Sequence, residues 1–383
     1  MNKIKFVFKS IVDLIILSYY KLYFLIKKSK MQDTWLISER GIDARDNGYW
    51  FYKYMKENHP DQNVKYVITE NSIDYKKIDA NDVVKYRSKE HYFYFLYAEK
   101  LISAEIMGFS PNEQLYYRLN KLGLIKLKGK TIFLQHGITK DFSKYMLADK
   151  TKLDLFICGA IPEYEYMINT YGYNENTAKL TGFARFDKLV DKNEDYILIM
   201  PTWRKWLKYN TSLLETEFYE NYMKILSDKD IIQSLKENNI KIIFYPHIIM
   251  QRFLKEFKAS SEDIILASFE EYDVQDLLKK SKLLVTDYSS VAFDFAYMNK
   301  ATIYYQFDVS KYRDEQYSNG YFDYQRDGFG PVCLDFEELK RNLLEYLNNK
   351  EYFNNYKSNV HKFFKDMDQG NCRRIYEAIV GEK

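Results

Sequence analysis

The sequence predicts an α/β protein with two Rossmann-like domains facing each other across a central cleft, preceded by an amphipathic helix lying in a membrane surface. Three observations predict it. Two successive series of short apolar runs alternate with helical patterns and meet near residue 190, as parallel sheets with crossover helices require. A length of 383 residues suits about two cores better than one. The amino terminus is apolar yet interrupted by charge, a pattern that fits a helix lying on a bilayer and not one crossing it.

The amino-terminal segment IKFVFKSIVDLIILSYYKLYFLIKKSK comes first. Lys5, Lys9, Asp13 and Lys21 break it, leaving no uncharged run of the ~20 residues a spanning helix needs. At helical spacing Val7, Ile11, Leu14, Ile15, Leu22 and Leu25 share one face, and Lys5, Lys9 and Asp13 share another. Lys27, Lys28 and Lys30 then sit against anionic headgroups. No small-residue cleavage site follows, which argues against a signal peptide; the competing expectation is a core helix packed on the first domain. Strands are expected at 34–38, 64–69, 100–104, 131–135 and 153–159, then at 196–201, 240–246, 263–267, 282–287 and 302–306. The domain plan is therefore 1–30 membrane-associating, 31–190 a first Rossmann-like domain, 191–338 a second and 339–383 carboxy-terminal helices that cross back to the first domain.

Charge and cysteine content exclude several classes. Lysine and arginine number 57 against 54 aspartates and glutamates, a net charge of +3, which gives no field suited to nucleic acid. Cys158, Cys333 and Cys372 are far apart, so neither a disulfide framework nor a zinc site is expected. The 37 tyrosines and 26 phenylalanines show no periodic platform and are read as coding bias. The Asp-x-Asp spacing Asp228-Lys229-Asp230 is expected in a solvated loop, so no metal is called for.

The candidate site residues stand at strand ends, where α/β sheets bind ligands. In LQHGITKDF the strand is expected to end at Gln135, with Gly137 turning the chain to expose His136; an imidazole there can take a proton from a hydroxyl. In IKIIFYPH, Pro246 fixes the backbone before His247, which is placed to hydrogen-bond a leaving pyrophosphate. YILIMPTWR sets Thr202, Trp203 and Arg204 past a strand, where an arginine grips phosphate oxygens or forms a surface salt bridge. In LLVTDYSSVAFDFAYM, Thr286 and Asp287 close a strand and Ser289 and Ser290 open a helix carrying Asp294, a phosphate cradle or a plain cap. There is no G-x-x-x-x-G-K-[ST] and no G-x-G-x-x-G, so neither a P-loop nor a dinucleotide oxidoreductase is supported.

Taken in order, LQHGITKD, GFARFD, MPTWR, FYPH, TDYSSVAFDFAYM and YYQFD, with WLISERGIDARDNGYWFYKYMKENHP at 35–60, resemble the CDP-glycerol glycerophosphotransferase family of teichoic acid and capsule polymerases. The resemblance covers nearly all the chain after residue 30. It implies a GT-B architecture, a peripheral (monotopic) enzyme on the cytoplasmic face of the membrane, and transfer of an alditol phosphate from a CDP-alditol to a lipid-linked polymer with release of CMP, without a cofactor. His136 would be the base; His247 with Arg204 would steady the diphosphate; Thr202, Thr286, Asp287, Ser289, Ser290 and Asp294 would hold the donor. Arg185 joins the substrate contacts as part of GFARFD, with Asp187 in the same motif. Two departures are the Lys300-Ala301 pair, where the family carries proline, and a shorter amino-terminal region that points to a primase or capsule-type enzyme. CDP-ribitol is an alternative donor. A GT-B glycosyltransferase or nucleotide-sugar epimerase, which would bind a uridine nucleotide, and a non-enzymatic assembly scaffold are the rival classes.

Overall fold

The computed structural model describes residues 3–24, 33–207 and 212–381. The chain forms two compact units: one of residues Met1–His136, Lys144–Asp187 and Asp368–Lys383, the other of Gly137–Ser143 and Lys188–Met367. The expected carboxy-terminal block 339–383 thus divides. The helix Phe336–Asn348 buries Leu339, Leu343 and Leu347 in the second core, whereas the helix Asn371–Val380 belongs to the first unit.

The first unit is built on one parallel sheet of seven strands: β1 (Trp35–Ser38), β2 (Val64–Ile68), β3 (Val83–Lys85), β4 (Lys100–Ser103), β5 (Lys130–Phe133), β6 (Leu155–Cys158) and β7 (Ala178–Leu180). Their spatial order is 3-2-1-4-5-6-7, so the strand order reverses between β1 and β4, the place where such sheets open a ligand crevice beyond their carboxyl ends. The second unit repeats the plan with β8 (Tyr196–Met200), β9 (Lys241–Phe244), β10 (Ile264–Leu266), β11 (Ser281–Thr286), β12 (Ala301–Tyr305) and β13 (Val332–Cys333). Its order 10-9-8-11-12-13 puts the reversal between β8 and β11. All ten expected strands are present. The three that were not expected, β3, β7 and β13, are edge strands of two or three residues. At two or three residues each is too short to leave an apolar run in the sequence.

Helix α1 (Lys3–Tyr23) packs against α3 (Lys89–Tyr97) and α4 (Glu113–Lys121), which follow α2 (Asn47–Asn58) in the first unit. Its sidedness is inverted for a surface helix. Asp13 is buried and makes a two-pronged ion pair with Arg118 (2.5 and 3.0 Å), beside buried Ser10 and Leu17. Phe8, Ile15 and Leu22 point outward at 67, 64 and 71% exposure. Two expectations are corrected here. Asp13 does not join Lys5 and Lys9 on the outer polar face, because a partner on α4 draws it inward; Leu14 turns partly into the core through contacts with the cluster around Phe95 and Leu119. Leu25, Lys27, Lys28 and Lys30 lie outside the described residues.

Candidate active site

In the first unit the strand ends around the reversal point hold the candidate residues. β5 stops at Phe133, two residues earlier than expected, and the chain turns at Gln135, whose φ of 60° is left-handed. A non-glycine residue holds that conformation only when its surroundings over-determine it. The Gln135 side-chain amide donates to Ile157 O (2.6 Å) and Glu163 Oε1 (3.1 Å), and its carbonyl accepts from Asn47 Nδ2 (2.7 Å). The left-handed residue of the turn is therefore Gln135 and not Gly137. Gly137 is small for a different reason, since a Cβ there would stand 2.3 Å from Ser290 Oγ within the second unit.

His136, lifted by this turn, is exposed. Its Nδ1 faces two oxygen acceptors, Ala104 O at 3.4 Å and Glu105 Oε2 at 3.6 Å. Acceptors on that edge favour the tautomer with the proton on Nδ1, which leaves the Nε2 lone pair outward as a base requires. Burial pushes the Glu105 carboxyl above its usual range, with Asp46 and Asp43 adding to the rise and His136 and Arg40 opposing it.

Arg185 of GFARFD is tied down. Its amide donates to Asn47 Oδ1 (3.0 Å) and its guanidinium to Asp46 Oδ1 (2.8 Å), so it braces the loop before α2. Asp187 accepts from Asn371 N and Cys372 N (2.8 and 2.9 Å) and caps the carboxy-terminal helix. Glu39, following β1, is likewise structural: it accepts from the amides of Arg45, Asp46 and Tyr49 at the start of α2.

In the second unit several expected ligand contacts are committed to the protein itself. Arg204 is wholly buried, its Nε and one terminal nitrogen on Asp308 (2.6 and 3.2 Å), that same nitrogen on Asp287 (2.8 Å) and the other on Thr202 O (2.8 Å). Burial alone would lower its pKa, but the two carboxylates outweigh it and raise it. The phosphate-gripping arginine and the surface salt bridge expected from MPTWR are both corrected: the charge sits inside, ringed by Tyr288, Phe218 and Tyr312. Asp287 is fully buried and accepts from the amides of Thr202 and Tyr288. Thr286 donates its hydroxyl to Met200 O (2.7 Å), locking β11 to β8. Asp294 is buried on the helix Val291–Tyr297. These residues shape the strand ends and do not line an open surface.

What remains accessible is smaller. His247 is half-buried, its amide bonded to Pro201 O and its Nδ1 accepting from Ile249 N (3.2 Å). With Nδ1 an acceptor, the neutral ring carries its proton on Nε2 and is a donor there, the tautomer opposite to that of His136. Ser289 and Ser290 are half-exposed. The Thr202 hydroxyl is buried at the end of β8 with no hydrogen-bond partner among the described residues, a group that a ligand oxygen would satisfy. Asp228 and Asp230 do not form a loose loop; Asp228 caps the helix Lys229–Asn238 and both pair with Lys340. Among the described residues no group of three His, Cys, Asp or Glu side chains is arranged to hold a metal.

Sequence reasoning missed Glu105 and Asp308. Both follow strands at their carboxyl ends, β4 and β12, so the logic that singled out His136 and His247 would have found them.

Comparison with known proteins adds the family. The model of the CDP-Glycerol:Poly(glycerophosphate) glycerophosphotransferase family matches residues 19–381. The minor teichoic acid biosynthesis protein GgaB of Bacillus subtilis (strain 168) is 33% identical over 369 residues, covering 91% of this chain and 39% of that protein. The teichoic acid poly(glycerol phosphate) polymerase of the same organism is 24% identical over 361 residues, 88% of this chain and 47% of that one. The chain thus spans less than half the length of these relatives. Among solved structures, the wall teichoic acid polymerase TagF soaked with CDPG superposes with a TM-score of 0.74 at 17% identity, over 100% of this chain and 98% of that one. A UDP-N-acetylglucosamine 2-epimerase does so with a TM-score of 0.53 at 11% identity, over 91 and 96%. At such identities the structures speak for the fold: α/β, with parallel sheets.

Proposed function

We propose, on the premise that this chain belongs to the CDP-Glycerol:Poly(glycerophosphate) glycerophosphotransferase family, that it transfers glycerol phosphate, or ribitol phosphate, from a CDP-alditol to the hydroxyl end of a membrane-linked teichoic acid or capsular polymer and releases CMP. The observation that carries this reading is His136, an imidazole held outward on a turn whose backbone is fixed by Gln135 and Asn47. In the transfer, His136 Nε2 accepts the proton of the acceptor hydroxyl as the oxygen bonds to the alditol-bearing phosphorus. The bond from that phosphorus to the bridging oxygen breaks, and its electron pair leaves with CMP. His247, a donor at Nε2, meets the charge developing on the leaving phosphate, and the half-exposed Ser289 and Ser290 supply hydroxyls for donor oxygens. Arg204, Asp287 and Thr286 hold the loops that present these groups. The test is the product formed from CDP-glycerol and from CDP-ribitol with a short lipid-linked acceptor; CMP release with neither donor would overturn the reading.

His247→Ala is expected to weaken donor binding and slow turnover together, on the order of 10-fold or more in each, because a donor to a diphosphate oxygen acts in both the ground and transition states. Calorimetry with CDP-glycerol measures the first. Unchanged affinity would remove His247 from the donor site.

The inverted helix α1 supports a peripheral position on an anionic membrane. No described helix is long and apolar enough to cross a bilayer, whereas the outward face of α1 offers Phe8, Ile11, Ile15 and Leu22 flanked by exposed Lys5, Lys9 and Lys21. Such a face inserts at the headgroup boundary. Deleting the helix would also strip Asp13 from Arg118, so substitution is the cleaner test. The pair Ile11→Asp and Ile15→Asp is expected to lower affinity for phosphatidylglycerol vesicles by about 10²-fold, each buried side chain being worth about 1.5 kcal/mol or more, with an unchanged melting temperature. A fall in melting temperature would mean that this face packs on protein.

A further inference from the structure

We propose that Glu105 is the positioning residue of the transfer step: its carboxylate holds the Nδ1 edge of His136, keeps Nε2 free to accept the hydroxyl proton, and stabilises the imidazolium that results. The proposal rests on His136 as the base and deepens that reading. β4 and β5 are neighbours paired Ser103 to Phe133, so their loops leave the sheet side by side and deliver Glu105 and His136 together. The carboxylate stands 3.6 Å from Nδ1, an ion-pair distance that a small rotation shortens to a hydrogen bond, as catalytic pairs tighten when substrate binds.

Glu105 is placed by its own backbone. Its amide donates to Ser103 Oγ (3.0 Å), and the turn beyond it is closed at Gly108, where a Cβ would meet Ser103 Oγ at 2.4 Å, Glu39 O at 2.5 Å and Glu105 Cβ at 3.0 Å. The charged groups that bear on it are few. Arg40, Asp43 and Asp46 come from the loop between β1 and α2; Arg40 is paired with Asp43 and Asp46 with Arg185. His136 is therefore the cationic partner that Glu105 gains when the ring is protonated. The proton itself stays on the ring: it moves from the acceptor oxygen to Nε2 while the carboxylate remains ionised, as in a Ser-His-Asp triad.

The experiment compares Glu105→Gln and His136→Ala in the full chain. Two readouts are taken: kcat and KM with CDP-glycerol, and the imidazole 15N shifts of His136, which report its tautomer and are assigned by their loss in His136→Ala among only five histidines. Glu105→Gln keeps the shape and removes the charge. It is expected to lower kcat on the order of 10- to 10²-fold, with KM for the donor unchanged. The share of the Nδ1-protonated tautomer of His136 should fall, since a neutral amide holds that edge of the ring less strongly than a carboxylate. If His136→Ala is inactive but Glu105→Gln leaves both kcat and the tautomer of His136 as in the wild type, the positioning role falls and the base stands. If His136→Ala retains turnover, the base reading fails and the proposal falls with it. A lower kcat with no change in the tautomer of His136 would mark Glu105 as structural and overturn the proposal.

Discussion

His136→Ala is expected to lower turnover by about 10²- to 10⁴-fold while leaving CDP-glycerol affinity nearly intact. A base contributes when charge moves in the transition state and little when substrate merely sits bound, so its removal separates rate from binding. The side chain is 60% exposed and its ring has no role in the core; the turn is held by Gln135 and Asn47 through their own contacts. The variant should therefore fold and melt as the wild type does. CMP release measured alongside calorimetry checks both halves of the expectation. Near-wild-type turnover in a folded variant would sink the base assignment.

The fold was legible because buried parallel strands must be apolar along their whole length, and runs such as YILIM and KLLVT announce themselves. The edges were not, because AKL and VC are too short to leave a pattern. Both histidines stand beyond strand ends as expected, but residue type misled about the burial of Arg204. An arginine after a strand reads as a phosphate ligand; only the three-dimensional pairing with Asp287 and Asp308, residues 83 and 104 positions further along the chain, reveals a buried charge. Such pairing leaves no local signal. The same holds for Asp13, whose partner Arg118 is 105 residues away. Gly137 shows a further limit: glycine suggests left-handed backbone, yet here it answers the close approach of Ser290. The fold alone does not single out a family, since a teichoic acid polymerase and an epimerase both superpose on this chain; the family comes from the sequence match across residues 19–381.

Arg204→Ala is expected to destabilise the protein by about 3–5 kcal/mol, because removing one member of a buried charge cluster leaves its partners desolvated and unpaired. Asp287 and Asp308 are both buried. Asp287 keeps its bonds to the Thr202 and Tyr288 amides and Asp308 its bond from the Tyr288 hydroxyl, but neither keeps a cation. Relief comes only by protonating a carboxyl or opening the loops after β8 and β11, and each route costs native structure. Urea unfolding followed by circular dichroism measures the loss as a lower midpoint. Arg204→Lys should fall between the two, since an ammonium retains the charge but not the flat fork that reaches two carboxylates at once. The comparison with His247→Ala makes the distinction sharp. A donor-gripping arginine would lose CDP-glycerol affinity at constant stability, whereas a buried organiser would lose stability first, with the fraction that remains folded keeping its affinity. Arg204→Ala with a wild-type unfolding midpoint and no donor binding would return this residue to the ligand.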